Sequence, residues 1–172
     1  MREEQYLIQI IKYLLNSDVA ESALPLPEKD LDWERLIRIA DRHNIDGLLY
    51  HALSEISDKR NISKELVDCM WKKAMRAAVI DIRQQVAIEE LLSKFEEKKI
   101  YCMPVKGVNT KEYYLKSEWR TMGDLDILYK AEQHRKVKAL LKEMGYMDFE
   151  SGLKHDHYSK KPFITLEMHR SL

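Results

Sequence analysis

Between Gly47 and Pro104 the chain carries neither glycine nor proline. The two residues that most readily end helices and turn a backbone are therefore missing from a long central stretch. Gly107, Gly123, Gly145, Gly152 and Pro162 then recur through the last third. This asymmetry predicts a helical first half and a mixed second half. Apolar spacing agrees. Tyr6, Leu7, Ile10, Ile11, Leu14 and Leu15 form one helical stripe, and Leu36, Ile37 and Ala40 another behind Asp32, an N-cap candidate. A short helix is expected over Ile45 to Leu53. Ser63 then opens a longer pattern: Val67, Met70, Trp71, Ala74, Ala78, Ile82, Ile88, Leu91, Leu92 and Phe95. Unbroken to Lys98, it would span roughly 50 Å at ~1.5 Å per residue. Met70, Trp71 and Met75 read there as core packing.

After Lys98 the period changes. Ile100 to Val105 predicts a strand, Asn109 to Leu115 a short helix, and Asp124 to Tyr129 a central strand. Glu132 to Met144 is amphipathic and ends at Gly145, and Ser151-Gly152 marks a hairpin. From Phe163 to His169, Ile164, Leu166 and Met168 alternate with polar Thr165, Glu167 and His169, a strand with one apolar face. The expected fold class is α+β, with a helical region over 1–98 followed by a small mixed β-sheet flanked by helices over 99–172.

Lysine plus arginine and aspartate plus glutamate number 29 each, so the formal net charge is zero. Nucleic-acid coats usually show a basic excess, which argues against that class while leaving a local basic patch open. Cys69 and Cys102 match no zinc or redox spacing and fit a reducing compartment. No apolar run approaches the ~20 residues a membrane helix needs, and the N-terminus lacks a signal-peptide pattern. A cytoplasmic protein without membrane partners is expected.

Chemistry concentrates in Arg120-Thr121-Met122-Gly123-Asp124-Leu125-Asp126-Ile127-Leu128-Tyr129. On a strand Asp124 and Asp126 face the same way, roughly 7 Å apart. Two like charges on one face of a packed strand call for a cation, and Mg²⁺ is the simplest, held by carboxylates plus substrate phosphates. Should the last strand pair beside this one, Glu167 joins them. Such carboxylates can hold two divalent ions ~4 Å apart that clamp an in-line phosphoryl displacement. Lys106-Gly107 ends the first strand, where a glycine admits close backbone approach and a lysine can meet phosphate oxygens. Arg120 can bind a triphosphate, or pair with Glu118 or Asp124 to hold the turn.

Asp32-Trp33-Glu34-Arg35-Leu36, Val105-Lys106-Gly107-Val108, the Arg120–Leu128 run and Leu166-Glu167-Met168-His169 together resemble the bacterial "uncharacterised nucleotidyltransferase" family of the polymerase-β-like nucleotidyltransferase superfamily. The resemblance implies that Asp124, Asp126 and Glu167 are the metal-binding and catalytic triad, with Glu167 polarising the acceptor hydroxyl. It implies an enzyme that moves a nucleoside monophosphate from an NTP to a hydroxyl or phosphate acceptor with Mg²⁺, Lys106, Gly107 and Arg120 contacting the nucleotide. It also implies a helical region beyond Leu172, so the sheet domain reads either as truncated at its C-terminus or as a stripped-down member of the family. Where the superfamily has a Gly-Ser pair this chain has Gly107-Val108. That leaves two other readings open: a catalytically silent nucleotide-binding or interaction module, and a toxin-like nucleotidyltransferase acting on tRNA or protein.

The histidines carry less. His155 and His157 share a strand face at a metal-like spacing, but with no third ligand nearby they read as exposed strand histidines. His169 shares the face of Glu167 and either orients it, meets phosphate, or is structural. His43, His51 and His134 stand in polar helical contexts and take no role.

Overall fold

The computed structural model describes residues 2–15, 27, 30–55, 62–152, 155–162 and 164–171. By packing, the chain divides into two compact units, one of 1–78 with 114–121, the other of 79–113 with 122–172.

The first unit is helical. It contains α1 (Arg2–Leu15), α2 (Trp33–Arg42), α3 (Asp46–Glu55) and the beginning of α4 (Lys64–Glu97), which runs on into the second unit. Asp32 caps α2 as its sequence suggests, its carboxylate accepting from Arg35 N–H at 2.9 Å. Ser63 does the same for α4, its hydroxyl accepting from Leu66 N–H at 3.2 Å. Tyr6, Leu7, Ile10 and Leu14 of α1 share a core with Leu36, Ile37 and Ala40 of α2, Leu48 and Leu49 of α3, and Trp119. The α1 stripe is narrower than its apolar spacing implies, because Leu15 lies exposed at the helix end.

Trp71, Met75 and Ile82 correct the expectation of core packing along α4. Met70 is buried, but those three are 48%, 43% and 60% exposed. A 34-residue helix drifts against any short apolar period, and its buried positions change from Met70 and Ala74 to Ala87, Ile88, Leu91 and Phe95.

The second unit is built on a five-stranded sheet of order β1-β2-β5-β4-β3. Its strands are β1 (Cys102–Pro104), β2 (Leu125–Tyr129), β3 (Met147–Ser151), β4 (His155–Lys160) and β5 (Ile164–His169). β2 and β5 run parallel and the other neighbours antiparallel. Two short helical segments complete the unit: α5 (Gly107–Thr110), followed by a 3₁₀ turn over Lys111–Tyr113, and α6 (His134–Glu143). Gly145 ends α6 with φ +83°, and the bond from Tyr146 N–H to the Leu141 carbonyl closes the cap at 2.9 Å.

One sheet face is apolar. Leu125, Ile127, Tyr129, Leu166 and Met168 form one buried cluster with Leu91 and Phe95 of α4 and Val137, Leu140 and Leu141 of α6. At about 1.5–3 kcal/mol per fully buried large side chain, this layer is the main source of cohesion in the unit. The opposite face holds the polar residues of the alternating pattern and carries the candidate site. Among the described residues no helix is long and apolar enough to cross a membrane.

A buried ion pair ties α4 to the loop after β1: the Lys111 ammonium donates to Asp81, both nearly buried. Removing the lysine leaves the Asp81 carboxylate, which also accepts from the Gln85 amide at 2.8 Å, buried without its counter-charge. Lys111→Ala is expected to lower unfolding free energy by about 3 kcal/mol in urea denaturation. The apolar double variant Asp81→Leu/Lys111→Met is expected to recover most of that loss.

Candidate active site

β2 and β5 pair so that Asp126 lies directly opposite Glu167, and Leu128 opposite His169. On the other side of β5, His155 lies opposite His169 and His157 opposite Glu167. Directly paired residues project to the same side of a sheet, so Asp126, Glu167, His169, His155 and His157 share one face. Asp156 does not belong to this group. It sits opposite Met168 on the apolar side, is buried, and pairs with Arg170 at 3.1 Å.

Lys106 enters from the loop between β1 and α5. Its backbone has φ 51° and ψ −118°, a conformation that costs a non-glycine residue of order 1–3 kcal/mol. The surrounding structure holds it there: Val105 N–H donates to the Asp126 carbonyl at 3.0 Å, and the Asn109 amide donates to the Pro104 carbonyl at 2.9 Å. Its ammonium lies 2.5 Å from Asp126 Oδ1 and 3.8 Å from Glu167 Oε2. The His169 Nε2 lies 2.9 Å from the same Asp126 oxygen. An ionised carboxylate only accepts, so this nitrogen carries the proton in that bond.

Asp126 is buried, with 6% of its surface exposed. Burial by itself would raise its pKa, but the hydrogen bonds from Lys106 and His169 outweigh that and hold the carboxyl below its ordinary range. Lys106 moves the other way. Its hydrogen bond to Asp126, reinforced by the charges of Asp126, Glu167 and Asp124, raises the ammonium above its usual value.

The structure thus brings together Asp126, Glu167 and Lys106, with Asp124 near enough to act on Lys106 by charge. Asp124 sits just before the first residue of β2. Gly107 is buried, and a Cβ there would fall 2.6 Å from Met122 Sδ, so its close approach is to the segment leading into β2. The carbonyl of Met122 is in turn held by Gln84 at 3.1 Å. Arg120 belongs to the helical unit, where its guanidinium donates to the Thr121 carbonyl.

His155 is the residue that sequence reasoning set aside. The third ligand it lacked locally is supplied by β5: Glu167 and His169 reach it across the sheet. The alternation of His155 and His157 was the available signal, and only the strand pairing completes it.

The sequence profile of the uncharacterised nucleotidyltransferase family matches residues 29–172, most of the chain and all of the site. The chain belongs to that family. The chain also has a structural likeness, at 21% identity and TM-score 0.41, to a lincosamide antibiotic adenylyltransferase, LnuA, in a lincomycin-bound crystal structure. The match covers 48% of this chain and 52% of that protein, so the chain spans about half its length. No curated protein matches the chain.

The depressed Asp126 carboxyl has a definite consequence for acid stability. A folded-state pKa below the unfolded one contributes stability that is present above the unfolded value and lost as pH falls through the folded value. In metal-free buffer, Lys106→Met is expected to raise the Asp126 titration in carboxylate ¹³C NMR. The variant should begin to lose stability at a higher pH than wild type.

Proposed function

We propose that this chain transfers a nucleoside monophosphate from an NTP to a hydroxyl or phosphate acceptor, with Mg²⁺ at the carboxylates. The observation that carries the reading is the position of the Lys106 ammonium between Asp126 and Glu167. Two acids from strands distant in sequence point at one place, and a positive charge stands in it. Carboxylate oxygens are the donors a hard divalent cation takes, so the residues fit Mg²⁺, with Asp124, Asp126 and Glu167 to hold it. When bound, the ion would neutralise phosphate oxygens and polarise the α-phosphoryl group.

The chain's own groups divide the remaining work. Lys106 has 58% of its side chain exposed, so its flexible stem can leave the acids and meet triphosphate oxygens. Glu167 takes the proton of the acceptor hydroxyl. The acceptor oxygen then forms its bond to the α-phosphorus while the bond to the β-phosphate oxygen breaks, and pyrophosphate leaves with that electron pair. The extended polar face holds donor and acceptor in line, where positioning supplies much of the acceleration. A groove of about 550 Å³ lined by Tyr101, Met103, Leu128, Lys130 and Arg170 offers room for an apolar part of either substrate.

A second reading, a catalytically silent module, draws on the same lysine. An ammonium held by two acids is itself a complete structural solution. Calorimetric titration with Mg²⁺-NTP separates the two. The enzyme reading expects binding by wild type and at least about tenfold weaker binding by Asp126→Asn and Asp124→Asn. It also expects label from one α-³²P NTP on a component of cell extract, lost in both variants. Binding that is equal in all three proteins would overturn the metal assignment. No binding by wild type or by Lys106→Ala would favour the module.

A further inference from the structure

The proposed transfer leaves the imidazoles of β4 and β5 without a task, yet with Glu167 they gather three ligand atoms on the polar face. His155 and His169 are direct partners across the strands, with ring centroids 5.7 Å apart. His169 Nε2 lies 3.6 Å and His155 Nδ1 3.8 Å from the same oxygen, Glu167 Oε1. All three ligand atoms fall within 4.8 Å of one another. Ligands about 2.0–2.1 Å from a tetrahedral ion stand about 3.3 Å apart, so these side chains need move only by a modest rotation to close on one centre. Asp126 Oδ1, 2.9 Å from His169 Nε2, is placed to be a fourth donor once the exposed Lys106 ammonium, 2.5 Å from the same oxygen, withdraws.

The arrangement also has the exposure a loadable site requires. The His169, Asp126 and Glu167 side chains are 11%, 8% and 15% exposed, a nearly buried floor. His155, at 43%, is the open side through which an ion can enter. Donor type decides the ion. Mg²⁺ prefers oxygen ligands, whereas imidazole suits zinc, copper, iron and nickel. Histidine binds through an unprotonated nitrogen, so ligation at His169 Nε2 requires its N–H on Nδ1 and exchanges the hydrogen bond to Asp126 for a shared metal.

We propose that His155, Glu167 and His169, with Asp126 as the fourth donor, form a transition-metal site on the polar face. It shares Glu167 and Asp126 with the nucleotidyl-transfer reading but does not require that transfer to occur. It differs from the magnesium assignment in its ligands and in the class of ion selected.

The test uses the metal alone, without nucleotide. Co²⁺ titrated into the full chain is expected to give a visible d–d band of four- or five-coordinate intensity at one equivalent, displaced by Zn²⁺ and not by an equal concentration of Mg²⁺. His155→Ala and His169→Ala are expected to weaken Co²⁺ binding at least about tenfold. His157→Ala, whose ring neighbours Phe149 at 5.7 Å and His155 at 5.1 Å but lies outside the ligand group, is expected to leave it unchanged. His155 is partly exposed, and circular dichroism of its variant checks that the fold persists. Equal Co²⁺ binding by wild type and His155→Ala, or no binding by wild type, would overturn the proposal. Co²⁺ binding that depends on the histidines, beside Mg²⁺-NTP binding that ignores Asp124, would leave this site standing and remove the transfer reading. The reverse pattern would remove only this site.

Discussion

The parallel pairing of β2 with β5 is the constraint on which the sheet unit depends. It sets Asp126 beside Glu167 on neighbouring strands, a separation of about 4.8 Å. At an effective dielectric of about 20 two such charges repel by about 3 kcal/mol, comparable to what one large core side chain contributes. The same two strands bury Leu125, Ile127, Leu166 and Met168 almost completely on the other side. Cohesion therefore comes from one face and charge strain from the other. Positive or proton-bearing partners, Lys106 and His169, offset the repulsion where it is greatest.

The loop before β2 bears the cost of delivering that partner. Lys106 adopts a backbone conformation that glycine would accept freely and lysine does not. A glycine there would relieve the backbone and remove the ammonium. The strain persists because the loop is fastened on both sides, by the Val105 bond to the β2 backbone and by the buried Lys111–Asp81 pair to α4. The stability of the helix and sheet is thus spent in part on aiming a single side chain.

Much of this was legible in the chain, for reasons that can be named. The alternation from Ile164 to Met168 announces a strand with one buried face, and the structure buries those three residues while leaving Thr165 and Glu167 partly exposed. Asp32 and Ser63 are local caps whose chemistry acts within three residues, so sequence alone locates them. What could not be read is pairing between distant strands. No local pattern states that His155 stands opposite His169, or that 114–121 packs with the N-terminal helices. The fate of Trp71 and Ile82 was hidden for a related reason: apolar spacing on a long helix says which residues share a stripe, not which part of the stripe is covered.

Glu167 joins the two chemical regions of the polar face. Its Oε2 looks toward Lys106 and its Oε1 toward the imidazoles of His169 and His155. One side of the face is therefore rich in oxygen, from Asp124 and Asp126, and the other in nitrogen. A carboxylate at the boundary can bind on both sides at once only because its two oxygens diverge. Glutamate, rather than the shorter aspartate, gives the reach from a β5 backbone position to both neighbours. The register that pairs Glu167 with Asp126 on one strand and with His157 on the other fixes where that boundary falls. Shifting β5 by one residue would turn Glu167 into the apolar layer and bring Leu166 or Met168 to the surface, at the expense of both faces together. The core that makes the sheet stable is thereby also what holds the charged residues in line.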